Sequence, residues 1–434
     1  MAFIKEKIIF PFADLLMGTK TMYYLKLIRK MSNWSNEDII NWQNSRLKSL
    51  INHSYENTVY YKNLFDKNNI SPDEINTIDD LEKIPPLTKD LIRNNYNDLI
   101  PKNINKHKYK LGETGGSTAE PLKYLQDLNS WSFCYASSLY YWNKLGYKIG
   151  DKFLALGSSS IIPNKKTSIK HKIYYFLKGK ISISAINLNK DSIIQILRII
   201  KKQKIEYIYG YSTAIYLLAK NINELGLEVP KVKGCISTSE LLTDEYKSEI
   251  KNVFKCPIID AFGAGDGGVS AFNLDNKYFK VAYNCLLGTN NEVNLNSGLL
   301  YLTDLLNYSF PFIRYEVGDG AEVSFSKIYN GQLITKLFGR IPNIIKLENG
   351  KVLIAPGFTV LFAGLNVKAY RIKKTGVNQL NIQIIKDEGY SIKDEDIIIQ
   401  SFHYHAGSDC KILLDYKQSF ELSSSGKRDY FLSA

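Results

Sequence analysis

Three hydroxyl side chains and two glycines stand side by side in the segment Thr114-Gly115-Gly116-Ser117-Thr118-Ala119-Glu120-Pro121. Glycine lets the backbone turn tightly, and successive N–H groups in such a turn form a concave nest for an anion. Serine and threonine hydroxyls add donors for phosphate oxygens. Basic residues flank the segment at Lys106, His107, Lys108, Lys110 and Lys123. The pattern indicates a phosphate-binding loop, with an ordinary polar turn as the alternative. It is not a Walker A loop, because the G-x-x-x-x-G-K-[ST] spacing is absent from the sequence.

The chain of 434 residues is longer than one compact core usually accommodates, and its 44% hydrophobic content is that of a globular protein. Two domains, or one large domain with an appendage, are therefore expected. We find no apolar run in the sequence long enough to span a bilayer. The apolar segment from Ile8 to Leu16 is broken by Pro11 and Asp14, which favours a helix packed on the protein body. An interfacial helix remains the alternative for this segment.

Five cysteines occur singly, without a C-x-x-C pair, which favours a reducing cytoplasm over a disulfide framework or a zinc site. The net charge of +13 suggests an anionic partner but reflects a general abundance of lysine. Basic and aromatic residues alternate between Lys165 and Lys180, which is typical of a solvated face, with a peripheral membrane or lipid-carrier contact as the alternative. A nucleic-acid partner is not expected, because no helix carries a coherent basic face.

Apolar spacing at three and four residues predicts helices over about 37–68 and 129–145. Between residues 181 and 262, short apolar runs alternate with amphipathic segments, one of which begins with Asp191 as its N-cap. This order predicts βαβ units, and therefore an α/β fold with mainly parallel sheets flanked by helices. Ligands bind beyond the carboxyl ends of such strands. Small polar segments stand there at Gly210–Thr213, Ser237–Glu240 and Phe262–Gly268.

The segment after residue 262 contains Gly263-x-Gly265-x-x-Gly268 and so matches the dinucleotide-binding pattern formally. The residues that follow do not predict a long helix, and no acidic residue ends a strand about twenty residues later. The sequence therefore disfavours a Rossmann nucleotide site.

A short strand containing Arg314, with Asp319 just beyond it, is predicted from Pro311 onward. The Asp319 carboxylate could accept hydrogen bonds from a vicinal diol such as ribose, or could cap a turn. Gly339-Arg340 and Pro342-Asn343 mark a turn. This turn predicts a boundary between a large domain of residues 1–338 and a small α+β domain of residues 339–434.

The order of these segments resembles the adenylate-forming ligase superfamily, in its branch of phenylacetate–CoA ligases and CapK-like proteins of capsular polysaccharide biosynthesis. The resemblance covers essentially the whole chain. Its strongest parts are Thr238–Asp244 and Pro311–Asp319, and Ile84–Asp90 and Ser425-Gly426-Lys427 add to it.

The resemblance implies a large N-terminal adenylation domain and a small mobile C-terminal lid. It also implies ATP and Mg²⁺ as cofactors. A small carboxylic acid would attack the α-phosphate of ATP, releasing pyrophosphate and giving an acyl-adenylate. The acyl group would then pass to CoA or to an amine such as an amino sugar, in a cytoplasmic step of cell-surface polysaccharide synthesis.

The resemblance also implies roles for individual residues. The loop from Thr114 to Thr118 would hold the β- and γ-phosphates, and Asp266 would bind magnesium. Phe262, beside Gly263, would stack on adenine, and the backbone at Ser239 and Glu240 would reach the adenine edge. Asp319 and Arg340 would hold the ribose hydroxyls. Lys427 would stabilise charge at the α-phosphate, so Lys427 and Thr118 are the expected catalytic residues.

Four positions depart from the family pattern, and they bear on activity. Ala119 stands where the family has glycine, and Gly265-Asp266 replaces a Thr-Glu pair. Pro342 stands where an acidic hinge residue is usual. The alternative to an active ligase is therefore a catalytically impaired relative that binds a nucleotide or an acyl ligand.

Overall fold

The computed structural model describes residues 4–113, 122–157, 169–184, 190–264, 268–274, 277–291, 297–325, 330–340, 344–348, 352–354, 361–362, 365–420 and 431–432. A short π-helix at Lys5–Ile9 precedes the first α-helix, and short 3₁₀-helices lie at Pro72–Glu74, Asp79–Lys83 and Ile104–Lys106. The α-helices are α1 (Phe10–Met17), α2 (Thr21–Met31), α3 (Asn36–Asn57), α4 (Val59–Lys67), α5 (Lys89–Asn94), α6 (Leu128–Asn143), α7 (Ile169–Leu177), α8 (Lys190–Gln203), α9 (Ser212–Glu224), α10 (Asp244–Phe254) and α11 (Ile392–Ala406).

The strands of the first part of the chain are β1 (Tyr109–Glu113), β2 (Lys123–Asp127), β3 (Phe153–Gly157), β4 (Lys180–Ser184), β5 (Tyr207–Tyr211), β6 (Gly234–Thr238), β7 (Ile258–Ala264), β8 (Val269–Asn273), β9 (Phe279–Val281), β10 (Cys285–Thr289), β11 (Ser297–Asp304), β12 (Tyr315–Phe325) and β13 (Gln332–Arg340). Those that follow are β14 (Ile344–Lys346), β15 (Val352–Ile354), β16 (Val367–Gly376), β17 (Gln379–Lys386), β18 (Lys411–Tyr416) and β19 (Phe431–Leu432).

An 11-stranded sheet in the order β10-β11-β12-β13-β9-β8-β7-β6-β5-β3-β4 organises the chain up to residue 340. The strands from β4 to β7 in this order pair in parallel. The strands from β7 to β10 pair antiparallel. The predicted α/β class is confirmed, and parallel pairing is confined to the half in which strands alternate with helices.

Burial on both faces explains why β3 is apolar throughout. Leu154 and Leu156 pack with Ile196 of α8 and Ile215 of α9, whereas Phe153 packs on the opposite side with aromatic residues of α6. Successive strand side chains point to opposite faces, so a central parallel strand must be apolar on both. The helices on each side bury these faces.

The predicted helix over 37–68 is two helices, α3 and α4. Ser35 and Asp38 form a capping box at the start of α3. Thr58 interrupts the run with extended backbone, and its hydroxyl accepts a hydrogen bond from the N–H of Tyr61 at 3.2 Å. The interruption therefore arises because Thr58 caps the second helix. The prediction of Asp191 as an N-cap is wrong, because α8 already includes Lys190.

The antiparallel half of the sheet bends so that β13 contacts β10. The side-chain amide of buried Gln332, in β13, accepts a hydrogen bond from the N–H of Leu287 at 2.9 Å and donates one to its carbonyl at 2.7 Å. Leu287 lies in β10, the edge strand on that side. One glutamine thus satisfies backbone groups that an open edge would expose.

Beyond residue 340, β18-β17-β16-β19 form a four-stranded sheet that packs with α11. Its core includes Ile372, Ile382, Ile398 and Phe402 and is a cluster separate from those under the large sheet. None of the helices in the described ranges is long and apolar enough to cross a membrane.

Candidate active site

The predicted phosphate loop, with Ala119, lies outside the described residues, but the strands on either side of it are described. β1 and β2 pair antiparallel, so that Glu113 lies opposite Lys123. The lysine at position 110 places its ammonium group 4.8 Å from the centre of the Trp131 ring of α6. Helix α6 therefore lies next to β1, the strand that leads into the predicted loop.

Ser239 and Glu240 directly follow β6, at the carboxyl end of the parallel strands, as predicted. Ser239 is exposed and has a left-handed backbone with φ of 68°. The Glu240 carboxylate accepts a hydrogen bond from the N–H of Thr213 at 3.0 Å, in the first turn of α9. The Ser212 hydroxyl donates to the Glu240 carbonyl at 2.9 Å. A carboxylate is favoured at the positive end of a helix, so the Glu240 side chain fixes the turn beyond β6.

Phe262 and Gly263 lie in β7, where the sheet changes from parallel to antiparallel pairing. Phe262 is half-buried and packs against the core cluster that includes Val317 and Ala321 of β12. The next described strand, β8, is antiparallel to β7. In a Rossmann site a helix follows the Gly-x-Gly-x-x-Gly pattern, whereas here a strand follows Gly268, so the structure agrees with the rejection of such a site. Gly265 and Asp266 lie outside the described residues.

Asp319 and Arg340 lie opposite each other, in β12 and β13. Residues on either side of Asp319, Val317 and Ala321, belong to the cluster on which Phe262 packs. The sheet therefore brings together the two residues expected to bind ribose and connects them with the one expected to stack on adenine. Asp319 lies within β12 rather than beyond a strand, which corrects the prediction.

Arg314 also differs from its predicted position, because it precedes β12 in a left-handed conformation with φ of 50°. Its guanidinium group donates to the carbonyls of Glu82 at 2.8 Å and Ile84 at 2.6 Å. The N–H of Leu87 donates to the Arg314 carbonyl at 3.1 Å. Two segments that carry the family resemblance therefore pack on each other, and Arg314 has a structural role.

A buried polar cluster behind the glycine-rich segment was not predicted. The Ser130 hydroxyl of α6 donates to the Asp304 carboxylate, which also accepts the N–H of Leu306 at 3.1 Å. The Gly268 carbonyl accepts hydrogen bonds from the thiols of Cys134, at 2.7 Å, and Cys285, at 3.3 Å. These contacts anchor the first described residue after Asp266. Burial raises the pKa of Asp304 to about 7.

Replacing Asp304 by asparagine is expected to change how stability depends on pH. The carboxyl of Asp304 loses its proton near its ordinary pKa of 3.8 when the chain is unfolded, but only near pH 7 when folded. The unfolded state thus binds fewer protons between these values, and the free energy of unfolding falls as pH rises, by up to about 4 kcal/mol. Urea denaturation at pH 4.5 and 7.5 should show a smaller fall for Asp304→Asn, and an equal fall would contradict the burial account.

The basic and aromatic run before β4 is only partly a solvated face. Lys178 is buried, with its ammonium group 3.5 Å from the Tyr135 ring centre and 4.2 Å from that of Tyr174. Burial lowers the pKa of Lys178 well below its ordinary range. Phe176, by contrast, is 82% exposed. The predicted solvated face is therefore wrong for Lys178 and Tyr174.

A cavity of about 150 Å³ lies between residues 78–82 and the antiparallel strands. Tyr301 and Arg314 line it, and the Arg314 guanidinium group lies 5.1 Å from the Tyr301 ring centre. The residues that line this cavity include none of the predicted site residues.

Lys427, Pro342 and the loop Thr114–Thr118 lie outside the described residues, as does Asp266. No group of three or more histidine, cysteine or acidic side chains in the described part could hold a metal ion. Magnesium bound to a nucleotide needs only one or two carboxylates, because phosphates and water complete its shell. Asp266 together with the phosphates of ATP fits that requirement.

Comparisons with known sequences give three informative relatives, although no family model matches the chain. Protein CapK of Staphylococcus aureus is 26% identical over 309 residues, which are 70% of this chain and 67% of CapK. Phenylacetate-coenzyme A ligase of Escherichia coli strain K12 is 32% identical over 103 residues, or 22% of this chain. The corresponding enzyme of Aromatoleum evansii is 28% identical over 108 residues. The chain spans about two thirds of CapK and about a quarter of each ligase in these alignments.

Solved structures share the fold over nearly the whole chain. A 2-hydroxyisobutyryl-CoA ligase, in the postadenylation state with an acyl-adenylate, has a TM-score of 0.70 at 12% identity and covers 94% of this chain and 92% of its own. The amide bond synthetase McbA of Marinactinospora thermotolerans has a TM-score of 0.52 at 12% identity, covering 74% of this chain and 67% of its own. Sequence relatives and fold agree with the predicted resemblance: the chain is similar to CapK and, over shorter stretches, to phenylacetate–coenzyme A ligases, and it has the fold of a CoA ligase that forms acyl-adenylates.

Proposed function

We propose that the protein is an AMP-forming ligase that activates a small carboxylic acid as its acyl-adenylate. One observation carries the proposal: in a chain with CapK and phenylacetate–CoA ligases as relatives, Asp319 and Arg340 lie opposite each other in paired strands. An aspartate and an arginine at opposed positions of paired strands are residue types that can accept hydrogen bonds from and donate them to ribose hydroxyls. Phe262, which packs against the same cluster as β12, supplies an aromatic face for the base.

We assign the charge-stabilising steps to residues outside the described ranges. The hydroxyls and N–H groups of Thr114–Thr118 would bind the β- and γ-phosphates and stabilise the pyrophosphate as it leaves, with Thr118 as the catalytic residue of this loop. Asp266 would bind magnesium, which neutralises phosphate charge. Lys427 would stabilise the negative charge that develops around the α-phosphate during attack by the carboxylate.

The contacts to adenine follow from the turns beyond β6 and β7. The Glu240 side chain already accepts a hydrogen bond from the first turn of α9, so we assign adenine recognition to the backbone of Ser239 and Glu240. The left-handed φ of Ser239 turns this backbone sharply at the strand end. Gly263, which is exposed, leaves room beside the Phe262 ring.

The acceptor in the second step is CoA or an amine. Proteins of this fold include a CoA ligase and an amide bond synthetase, so the fold is compatible with both acceptors. The resemblance to CapK-like proteins of capsular polysaccharide biosynthesis suggests a cytoplasmic step in cell-surface polysaccharide synthesis, in which the acyl group would be passed to an amino sugar.

We further propose that residues 1–338 form the adenylation domain and residues 339–434 a lid. The strands after residue 340 have their own core cluster, which supports two domains. Gly339 and Arg340, predicted to lie in a turn, are the last two residues of β13, so the large sheet extends two residues past the proposed boundary. A lid that carries Lys427 would bring this residue to the α-phosphate for the first step and withdraw it for the second.

The second candidate is a protein that binds a nucleotide or an acyl ligand without catalysing adenylation. The changed residues Ala119, Gly265, Asp266 and Pro342 favour this alternative. Retention of Asp319, Arg340 and Lys427 together favours an active enzyme, because drift would be expected to alter such positions first.

Exchange of labelled pyrophosphate into ATP distinguishes the two candidates, because it reports adenylation without requiring the acceptor. We expect exchange with one or more acids from a panel of aryl, aliphatic, hydroxy and amino acids. Mg-ATP binding without exchange across the panel would support the binding protein instead.

Replacing Asp319 by asparagine is expected to weaken ATP binding about 10- to 100-fold. The variant loses one charged hydrogen-bond acceptor, worth about 1.5–3 kcal/mol. Calorimetric titration with Mg-ATP measures the change. Glu322→Gln is the matched control, since Glu322 lies on the same strand and its side chain accepts a hydrogen bond from Thr335. Equal affinity in the Asp319→Asn and Glu322→Gln variants would contradict the ribose role.

A further inference from the structure

The N-terminal segment presents large apolar side chains to solvent on the outer side of a helix that is firmly attached to the body. On the inner side of α1, Phe10 and Ala13 are buried, and the Asp14 carboxylate accepts the Thr19 hydroxyl at 2.6 Å and the N–H of Met22 at 2.7 Å. The outward side chains are exposed by 51–77%: Ile4, Ile8, Phe12, Leu15 and Leu16. Their spacing of three to four residues places them along one side of the helical turns.

Helix α7 extends this surface. Its inward Tyr174 is buried. Burial and the nearby Asp14 carboxylate raise the pKa of the Tyr174 phenol, whereas Thr21 and Thr19 lower it, so α7 lies next to the turn between α1 and α2. Its outward Ile173 and Phe176 are 54% and 82% exposed. We call the exposed side chains of residues 4–16 together with Ile173 and Phe176 the apolar face. Several large exposed apolar side chains on neighbouring elements indicate an interaction site.

The segments that carry the apolar face are rich in positive charge. Lys7, Lys20, Lys26 and Lys30, in the N-terminal segment, and Lys172, in α7, are all exposed. Residues 4–31 contain only two acidic residues. Glu6 pairs with Arg29 at 2.5 Å, and Asp14 is buried with its own donors. The surface therefore has no exposed, unpaired acidic group in these residues.

We propose that the apolar face is a membrane-binding surface that docks the protein on an anionic phospholipid bilayer. Phenylalanine and leucine side chains would enter the boundary between headgroups and acyl chains, and the exposed lysines would contact lipid phosphates. The helix would lie in the plane of the interface.

Sedimentation of the full chain with lipid vesicles tests the proposal. We expect binding to vesicles that contain phosphatidylglycerol, much weaker binding to pure phosphatidylcholine, and release by salt. The variant Leu15→Glu/Leu16→Glu should bind at least about tenfold less. Val377→Glu/Ile392→Glu is the matched control, because both residues are 74% exposed and lie outside the apolar face.

A second pair of variants tests the charges. Each basic residue near an anionic surface contributes a factor of about five to binding, so Lys26→Glu/Lys30→Glu should reduce binding at least about 20-fold. The control Lys393→Glu/Lys411→Glu makes the same charge change at exposed positions in the C-terminal part. Phe176→Glu, on a different helix, provides a third test should the change in α1 impair folding.

Two results would overturn the proposal. One is that the wild-type chain binds anionic and neutral vesicles equally well, or that it binds neither. The other is a dimer in analytical ultracentrifugation that Leu15→Glu/Leu16→Glu converts to monomer, which would make the apolar face a contact between copies of the chain. Pyrophosphate exchange should be the same in all these variants, so a failed membrane proposal leaves the adenylation proposal standing.

Discussion

Replacing Lys427 by alanine is expected to reduce acid-dependent pyrophosphate exchange by about 10²- to 10³-fold. The assigned role of the Lys427 ammonium group is to stabilise negative charge that is greater in the transition state than in bound ATP. Loss of one such group in a preorganised site has an effect of this size. Mg-ATP affinity should change little, because the proposed function assigns the ground-state contacts to the loop, Asp319 and Arg340.

The control for Lys427 is Lys417→Ala. Lys417 lies in the same C-terminal part and forms an exposed ion pair with Asp415 at 3.0 Å, which contributes little stability. This variant should retain nearly full exchange. Acyl transfer from a supplied acyl-adenylate should also survive in Lys427→Ala. Loss of exchange in both variants, or in neither, would refute the role assigned to Lys427.

Replacing Gly268 by alanine is expected to destabilise the protein by about 2–5 kcal/mol. Gly268 has φ of +70°, which costs an alanine about 1–2 kcal/mol. An added methyl group would also lie 2.6 Å from the Ser130 hydroxyl oxygen and even closer to the Asp304 carboxylate. Both atoms are buried and hydrogen-bonded to each other, so overpacking adds about 1–3 kcal/mol.

Gly226→Ala separates the two contributions to this effect. Gly226 also has a positive φ, +59°, but nothing lies within 4 Å of an added methyl group. The Gly226→Ala variant should therefore be destabilised only by the unfavourable backbone conformation, by about 1–2 kcal/mol. Urea denaturation gives both values. Equal losses at Gly226 and Gly268 would show that the buried cluster can yield, contrary to the rigid anchoring inferred for the segment after Asp266.

The alternation of strands and helices between residues 181 and 262 was predictable, because a strand buried on both faces is apolar throughout. The antiparallel half was harder to derive, since its pairing depends on long-range contacts. Gln332, whose amide satisfies the backbone of Leu287, looks like any polar strand residue in the sequence. The break at Thr58 was in principle readable, since threonine is a favoured N-cap.

The candidate site was predicted unevenly. Family resemblance indicated Asp319 and Arg340, but spacing alone could not show that they would lie opposite each other, because strand register is set by distant packing. The capping role of the Glu240 side chain also depends on the position of α9. The Asp304 cluster joins α6, Gly268 just before β8, and strands β10 and β11, which are far from α6 in the chain. Only the polar end of β11, at Thr303-Asp304, could have suggested it.

The central claim is that the carboxylate attacks the α-phosphate of ATP. An acid identified by exchange, labelled with ¹⁸O in both carboxyl oxygens, tests this claim most directly. Attack joins one labelled oxygen to phosphorus, and acyl transfer then breaks the bond between the carbonyl carbon and that oxygen. We predict that mass spectrometry will find AMP carrying one ¹⁸O atom. Unlabelled AMP, or label in orthophosphate, would contradict the account.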